Sequence, residues 1–307
     1  MSHFTVLVIG PNPEDQLEPF QENNMGDCPD KFMEFVDAED DLKKSFAKEN
    51  PNTQYESDES YREAFDSYVD GEVYKKDPKT GRYGYWENPN AKWDWYQLGG
   101  RWTGMLKLKS DASKKHAIQG TPGLMTKCAK DGYADAALKC DIDFAGMIAE
   151  AQRKAKEEYE KIEAVFPDGI PKIDIAWSKI IDSNGSYKDM PHDERRDFYH
   201  NQEGVKAWKE CTRAKADEVN DDLRGFYMWA DQEDFQYSKE EYIKKAGNSA
   251  FNTYAVINDG KWYQRGEMGW WGMATNEKDE DDWALEFTKL IDGLPDDTLL
   301  SVYDCHI

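Results

Sequence analysis

The chain is short of cysteine, of base and of long apolar runs, and each shortage excludes something. Five cysteines (Cys28, Cys128, Cys140, Cys211 and Cys305) are spread through 307 residues. Their number is odd, their gaps are long and no C-x-x-C pair occurs, so neither a disulfide framework nor a zinc ribbon is expected. Reduced thiols in a cytosol fit that usage. No run of about 18 apolar residues exists, so no helical membrane span is expected. The opening apolar run, His3 to Ile9, has no basic region ahead of it and no small-residue cleavage site behind it; it reads as a first β-strand rather than a signal peptide.

Catalytic signatures are missing as well. Neither G-x-x-x-x-G-K nor G-x-G-x-x-G occurs, and neither H-E-x-x-H nor G-x-S-x-G. Their absence leans the reading away from an enzyme and gives no reason to expect a cofactor. Lys and Arg number 39 against 62 Asp and Glu, a formal net charge of -23. A phosphate backbone is bound through Lys and Arg, so direct nucleic-acid binding is not expected.

The acids that are present are segregated. From Gly10 to Glu72 there are 19 acids and 5 bases, and from Asn276 to Asp297 there are 9 acids and 2 bases. These two stretches carry nearly the whole excess and make a strong local negative field. The natural complement is the basic surface of another protein, and solubility is the plainer reading. Aromatic residues make up 13% of the chain, which argues for a folded protein in spite of the charge.

Two aromatic motifs stand out. In Trp93-Asp94-Trp95-Tyr96-Gln97-Leu98-Gly99-Gly100-Arg101-Trp102, an Asp94–Arg101 bidentate pair would clamp an aromatic cleft, with the glycines letting the backbone bend. Gly266 to Met273, around Trp270-Trp271, has the same character. Together they make candidate ligand-binding residues of Trp93, Asp94, Trp95, Arg101, Trp102, Trp270 and Trp271, suited to stacking a nucleotide base or other planar small molecule, for a sponge or a hydrolase. A structural corner is the plainer alternative. A third group lies at the two ends: if the first and last strands pair, His3 meets His306, with Asp304 and Cys305 close by. His3-Phe4-Thr5 has the H-x-T form of two-histidine phosphoesterases, but no second H-x-T or H-x-S exists, so no metal or catalytic role is assigned. Asp279 to Asp282 reads as acids at a helix start, and Asp37 to Asp41 as a solvated face rather than a calcium loop.

The pattern of elements predicts an α+β fold. Helical spacing runs through Phe32, Phe35 and Val36, then Leu42, Phe46 and Ala47, then Tyr61, Ala64, Phe65 and Tyr68. A hairpin is expected around Asp77 to Gly81, a strand over Met105 to Lys109, and helices over Asp143 to Phe166, Val205 to Phe226 and Ser238 to Ala246. Near the end come a hairpin about Asn258-Asp259-Gly260, a helix from Asp279 to Leu290, and a last strand, Leu299 to His306. This predicts an antiparallel or mixed sheet formed by both chain ends, in a ferredoxin-like arrangement with first and last strands side by side. The core domain would span 1–144 and 249–307, with a helical insertion over 145–248.

Met1 to Gly10, the Trp93 to Trp102 motif, Leu294-Pro295-Asp296-Asp297-Thr298-Leu299-Leu300 and Asp304-Cys305-His306-Ile307 resemble a family of proteins found in tailed bacteriophages and in bacterial genomes carrying mobile elements. That family has no established activity, so no residue role transfers. The resemblance covers both ends and leaves the middle, roughly 150 to 248, unmatched. It implies a context: an acidic phage accessory protein in the cytoplasm of a bacterial host, expected to bind and modulate a host protein complex, with anti-phage defence as a candidate target.

Overall fold

The computed structural model describes residues 2–113, 115–124, 131–182, 185–269 and 273–307. The fold is α+β. Contacts divide the chain into two compact units, one of Met1–Ile142, Thr253–Lys278 and Leu294–Ile307, the other of Asp143–Asn252 and Asp279–Gly293. The strands are β1 (His3–Ile9), β2 (Glu34–Asp37), β3 (Lys75–Lys76), β4 (Tyr83–Glu87), β5 (Trp95–Gly100), β6 (Leu106–Lys107), β7 (Thr121–Pro122), β8 (Tyr133–Ala134), β9 (Ala136–Leu138), β10 (Ala255–Asn258), β11 (Lys261–Gln264), β12 (Glu267–Met268), β13 (Ala274–Thr275) and β14 (Leu299–His306). The helices are α1 (Pro13–Leu17), α2 (Glu39–Glu49), α3 (Asp58–Tyr68), α4 (Phe144–Glu163), α5 (Trp177–Ile181), α6 (His192–Asn201), α7 (Glu203–Glu218), α8 (Asp221–Trp229), α9 (Lys239–Asn248) and α10 (Glu280–Asp292).

The main sheet of the first unit runs β11-β10-β1-β14-β5-β7, with β9 also paired to β14. The first and last strands lie side by side and antiparallel, from His3↔His306 to Ile9↔Leu300. Both are near-continuous apolar runs, buried from Phe4 to Ile9 and from Leu300 to Cys305, as befits central strands covered on both faces. One detail departs from a ferredoxin-like order. There the returning strand of the hairpin sits against the first strand; here the outgoing strand β10 does, parallel to β1. The burial pattern explains the choice. Ala255, Val256 and Ile257 are wholly buried, whereas β11 alternates half-buried and exposed and so suits an edge. Asp259 and Gly260 turn the hairpin with φ of 50° and 68°, a left-handed pair matched to strand twist.

Residues 34–87 add a small lobe to this unit. β4 lies between β2 and β3, and Phe46, Phe65 and Val69 of this segment form a separate core ringed by tyrosines. α3 starts on a capping box between Ser57 and Ser60. The helical stripe expected through Phe35 and Val36 is instead strand β2, because each residue pairs across to β4 (Phe35↔Trp86, Val36↔Tyr85).

The second unit is helical. Asp143 caps α4 by accepting from Gly146 N, and Ser238 and Glu241 form the expected capping box on α9. Tyr159, Ile162, Phe166, Trp208 and Phe235 build its core. The single helix expected over Val205 to Phe226 is two: Val219 and Asn220 are extended, with ψ of 166° and 167°, and end α7 before α8 begins. α10 groups with this unit and not with the sheet, its Phe287 ring standing edge-on to Phe251 at 5.4 Å.

Candidate functional site at the end of the sheet and on the acidic lobe

The Trp93 to Trp102 motif wraps strand β5, and its rings go to different places. Trp93 is core: it is 4% exposed, its Nε1 donates to Leu17 O at 3.1 Å, and Tyr96 packs edge-on to it. Trp95 faces the other side of the sheet and is 45% exposed. Trp102 is half-buried and Arg101 exposed. Trp270 and Trp271 lie outside the described residues. The Asp94–Arg101 clamp does not form among the described residues: strand β5 runs between the two, and the Arg101 backbone N–H is drawn onto Asp304. Asp94 turns instead to His306.

The glycine pair has a cause that spacing did not reveal. Gly99 and Gly100 adopt φ of 79° and 53°, a region that costs an L side chain strain. A Cβ on Gly99 would sit 2.6 Å from Asp135 Oδ2, and one on Gly100 would sit 2.4 Å from Asp304 Cβ. Two carboxylates are thus buried against bare backbone. Asp135, fully buried, accepts from Thr103 Oγ1 at 2.9 Å, Gly120 N at 2.7 Å and Gly104 N. Asp304, 1% exposed, accepts from Arg101 N at 2.9 Å. Asp135 was missed by motif reading. Its signal was an acid inside the apolar run Ala134 to Leu138.

Asp304 also leads to the paired histidines. His3 Nδ1 lies 2.8 Å from Asp304 Oδ1, and His306 Nδ1 lies 2.6 Å from Asp94 Oδ1. An ionised aspartate only accepts, so in each pair the Nδ1–H is the donor and the Nε2 points away from the carboxylate. The rings touch edge to face with centroids 4.9 Å apart, and Trp95 stands 6.1 Å from His3. Asn24 Nδ2 donates to Asp94 Oδ2 at 3.2 Å. Nearby, burial and then the Asp94 charge raise the Glu22 carboxyl above its ordinary value, with His306 pulling the other way. Cys305 does not join this group. Alternate strand residues face opposite sides, so its thiol is wholly buried in the core with Phe4 and Tyr303, and burial pushes its pKa well up. Two imidazoles oriented by carboxylates are suited to acid–base exchange. Among the described residues no group of three or more His, Cys, Asp or Glu is arranged to hold a metal.

The acidic lobe offers a different surface. Glu56, Asp58, Glu59 and Glu63 are exposed at the start of α3, and no ion pair to them forms among the described residues. Other acids of the lobe are spent internally: Asp37 and Asp40 on Arg82, Asp41 on Lys44, Asp66 on Lys76. Beside the lobe, Glu22, Asn23, Asn24, Trp86 and Glu87 line a cleft of about 240 Å³, with Trp86 43% exposed.

Compared with protein-family models, with curated proteins and with solved structures, the chain matches none. No described helix is long and apolar enough to cross a membrane.

Proposed function

We propose that this protein is an acidic binding module that occupies a basic surface on a protein complex of a bacterial host and modulates it. The observation that carries the reading is the acidic lobe. The stretch with the larger acidic excess contributes a lobe that folds around its own aromatic core and leaves Glu56, Asp58, Glu59 and Glu63 exposed, with no ion pair to them among the described residues. Uncompensated like charge costs free energy in the free protein, and a basic partner relieves that cost. The neighbouring cleft adds what one Arg or Lys side chain of such a partner would seek: two carboxylates, Glu22 and Glu87, beside the exposed ring of Trp86. The phage resemblance of the chain ends supplies the host context and the candidate target, anti-phage defence.

The test is capture of the partner from a bacterial host, followed by titration of the purified pair. The expected affinity drops steeply between about 0.05 and 0.5 M salt. It drops at least about tenfold when Glu56, Glu59 and Glu63 become Gln and Asp58 becomes Asn. An interaction indifferent to both would sink the reading.

A second reading is supported by the paired histidines: acid–base chemistry at the two Nε2 atoms, with Asp304 and Asp94 as orienters. It predicts that a substrate turned over by the wild type is left intact by both His3→Gln and His306→Gln. Turnover surviving either change would remove it.

A further inference from the structure

Three cations converge in the helical unit. Arg196 of α6 and Lys209 and Arg213 of α7 line one cleft together with Trp177 and Trp229. No carboxylate lies within ion-pair distance of any of the three among the described residues. Lys209 Nζ is instead 2.8 Å from His200 Nδ1, a second base. The crowding registers on both groups: burial and then Arg213 lower the Lys209 pKa, and burial, Lys209 and Arg196 lower that of His200. What such a cluster lacks is an anion.

The other walls narrow the kind of anion. Trp229 is 85% exposed, a large ring with most of its surface open to solvent. Trp177 is braced by Tyr199, ring centroids 5.5 Å apart. Two carboxylates, Asp231 and Glu233, also line the cleft. Asp231 already accepts from Glu233 N at 3.0 Å, and Glu233 from Trp177 N, so both are fixed in place with lone pairs to spare. A bare phosphate would use the cations and be repelled by these acids. A ligand with an anionic end, a flat ring and hydroxyl or amino donors would use all three walls. The cleft holds about 730 Å³, within the range of small-ligand sites.

We infer that this cleft binds a nucleoside phosphate, with its phosphate on Arg196, Lys209 and Arg213, its base against Trp229 and Trp177, and its hydroxyl or amino donors toward Asp231 and Glu233. The site is separate from the Trp93 to Trp102 motif and from the acidic lobe, and it stands whether or not the lobe binds a partner.

Titration calorimetry of the full chain with the common nucleoside mono- and diphosphates, and with inorganic phosphate, tests it. At least one nucleotide is expected to bind one to one, and inorganic phosphate at least about tenfold more weakly. The triple change R196Q/K209Q/R213Q is expected to cost about 100-fold or more, and Trp229→Ala about tenfold. Arg101→Ala should change nothing. Arg196, Arg213 and Trp229 are exposed, so these variants should fold, as thermal melts would verify. The inference is overturned if no nucleotide binds the wild type, if the triple variant binds equally well, or if inorganic phosphate binds as tightly as any nucleotide. It is also overturned if an acidic peptide binds there and nucleotides do not, because the cleft would then be a protein contact.

Discussion

Carboxylates in this protein live in two opposite regimes. At the sheet, Asp135 and Asp304 are almost wholly buried and are held by backbone N–H groups, a hydroxyl and an imidazole. On the lobe, Glu56, Asp58, Glu59 and Glu63 are exposed to water, with no ion pair to them among the described residues. The first pair specifies structure: a buried acid is tolerable only where its donors are in place, so it dictates the loop around it. The second group specifies nothing locally, since water solvates it in any conformation, and that leaves it free to serve recognition. Burial, and not residue type or count, decides which role an acid takes.

Breaking the buried regime should give the largest effects. Asp135→Ala strands the donors of Thr103, Gly104 and Gly120, and should cost about 3–5 kcal/mol, read from the urea midpoint of the sheet-bearing unit. Gly100→Ala forces a Cβ onto Asp304 in a left-handed backbone, and should cost about 2–3 kcal/mol by the same measurement; an unchanged midpoint would mean that the turn yields freely. Glu22, half-buried, sharpens the comparison as an intermediate case. Its folded carboxyl binds a proton more readily than the unfolded one, whose value is about 4.3. Its contribution to stability therefore falls as pH rises through that raised value. Glu22→Gln should be more stable than the wild type at pH 7 by about 0.5 kcal/mol, discounted for solvent screening, with the gap closing as pH falls toward about 4. Neutralising the four lobe acids should shift stability by less than about 0.5 kcal/mol while weakening partner binding, and a large loss of stability there would place those acids in the structural class.

Much of this architecture was legible in the residues. The central strands β1 and β14 announced themselves as unbroken apolar runs, and the Asn258-Asp259-Gly260 turn and the Ser238–Glu241 box were read from local chemistry. The failures share one cause, dependence on partners far away in sequence. Phe35 and Val36 fit a helix as well as a strand over so short a run, and pairing with β4 decided. Asp94 seemed placed to clamp Arg101, but pairing of β5 with β14 gave it His306 instead and drew the Arg101 backbone to Asp304. The glycine pair read as flexibility, whereas it is clearance for two acids that lie 36 and 204 positions further along. The cation cleft left no linear trace, because Arg196, Lys209 and Arg213 are ordinary surface residues of two helices until the helices pack.

The pairing of β1 with β14 also bears on how the molecule is made. His3 and Asp304 are 301 positions apart, so the middle of the sheet cannot close until β14 has been synthesised. The helical unit rests on nearer contacts and can consolidate while β1 waits, an apolar strand without its neighbour. Nascent chains halted before residue 299 should therefore show a protease-resistant helical unit beside an N-terminal strand that is still open to cleavage or to a chaperone.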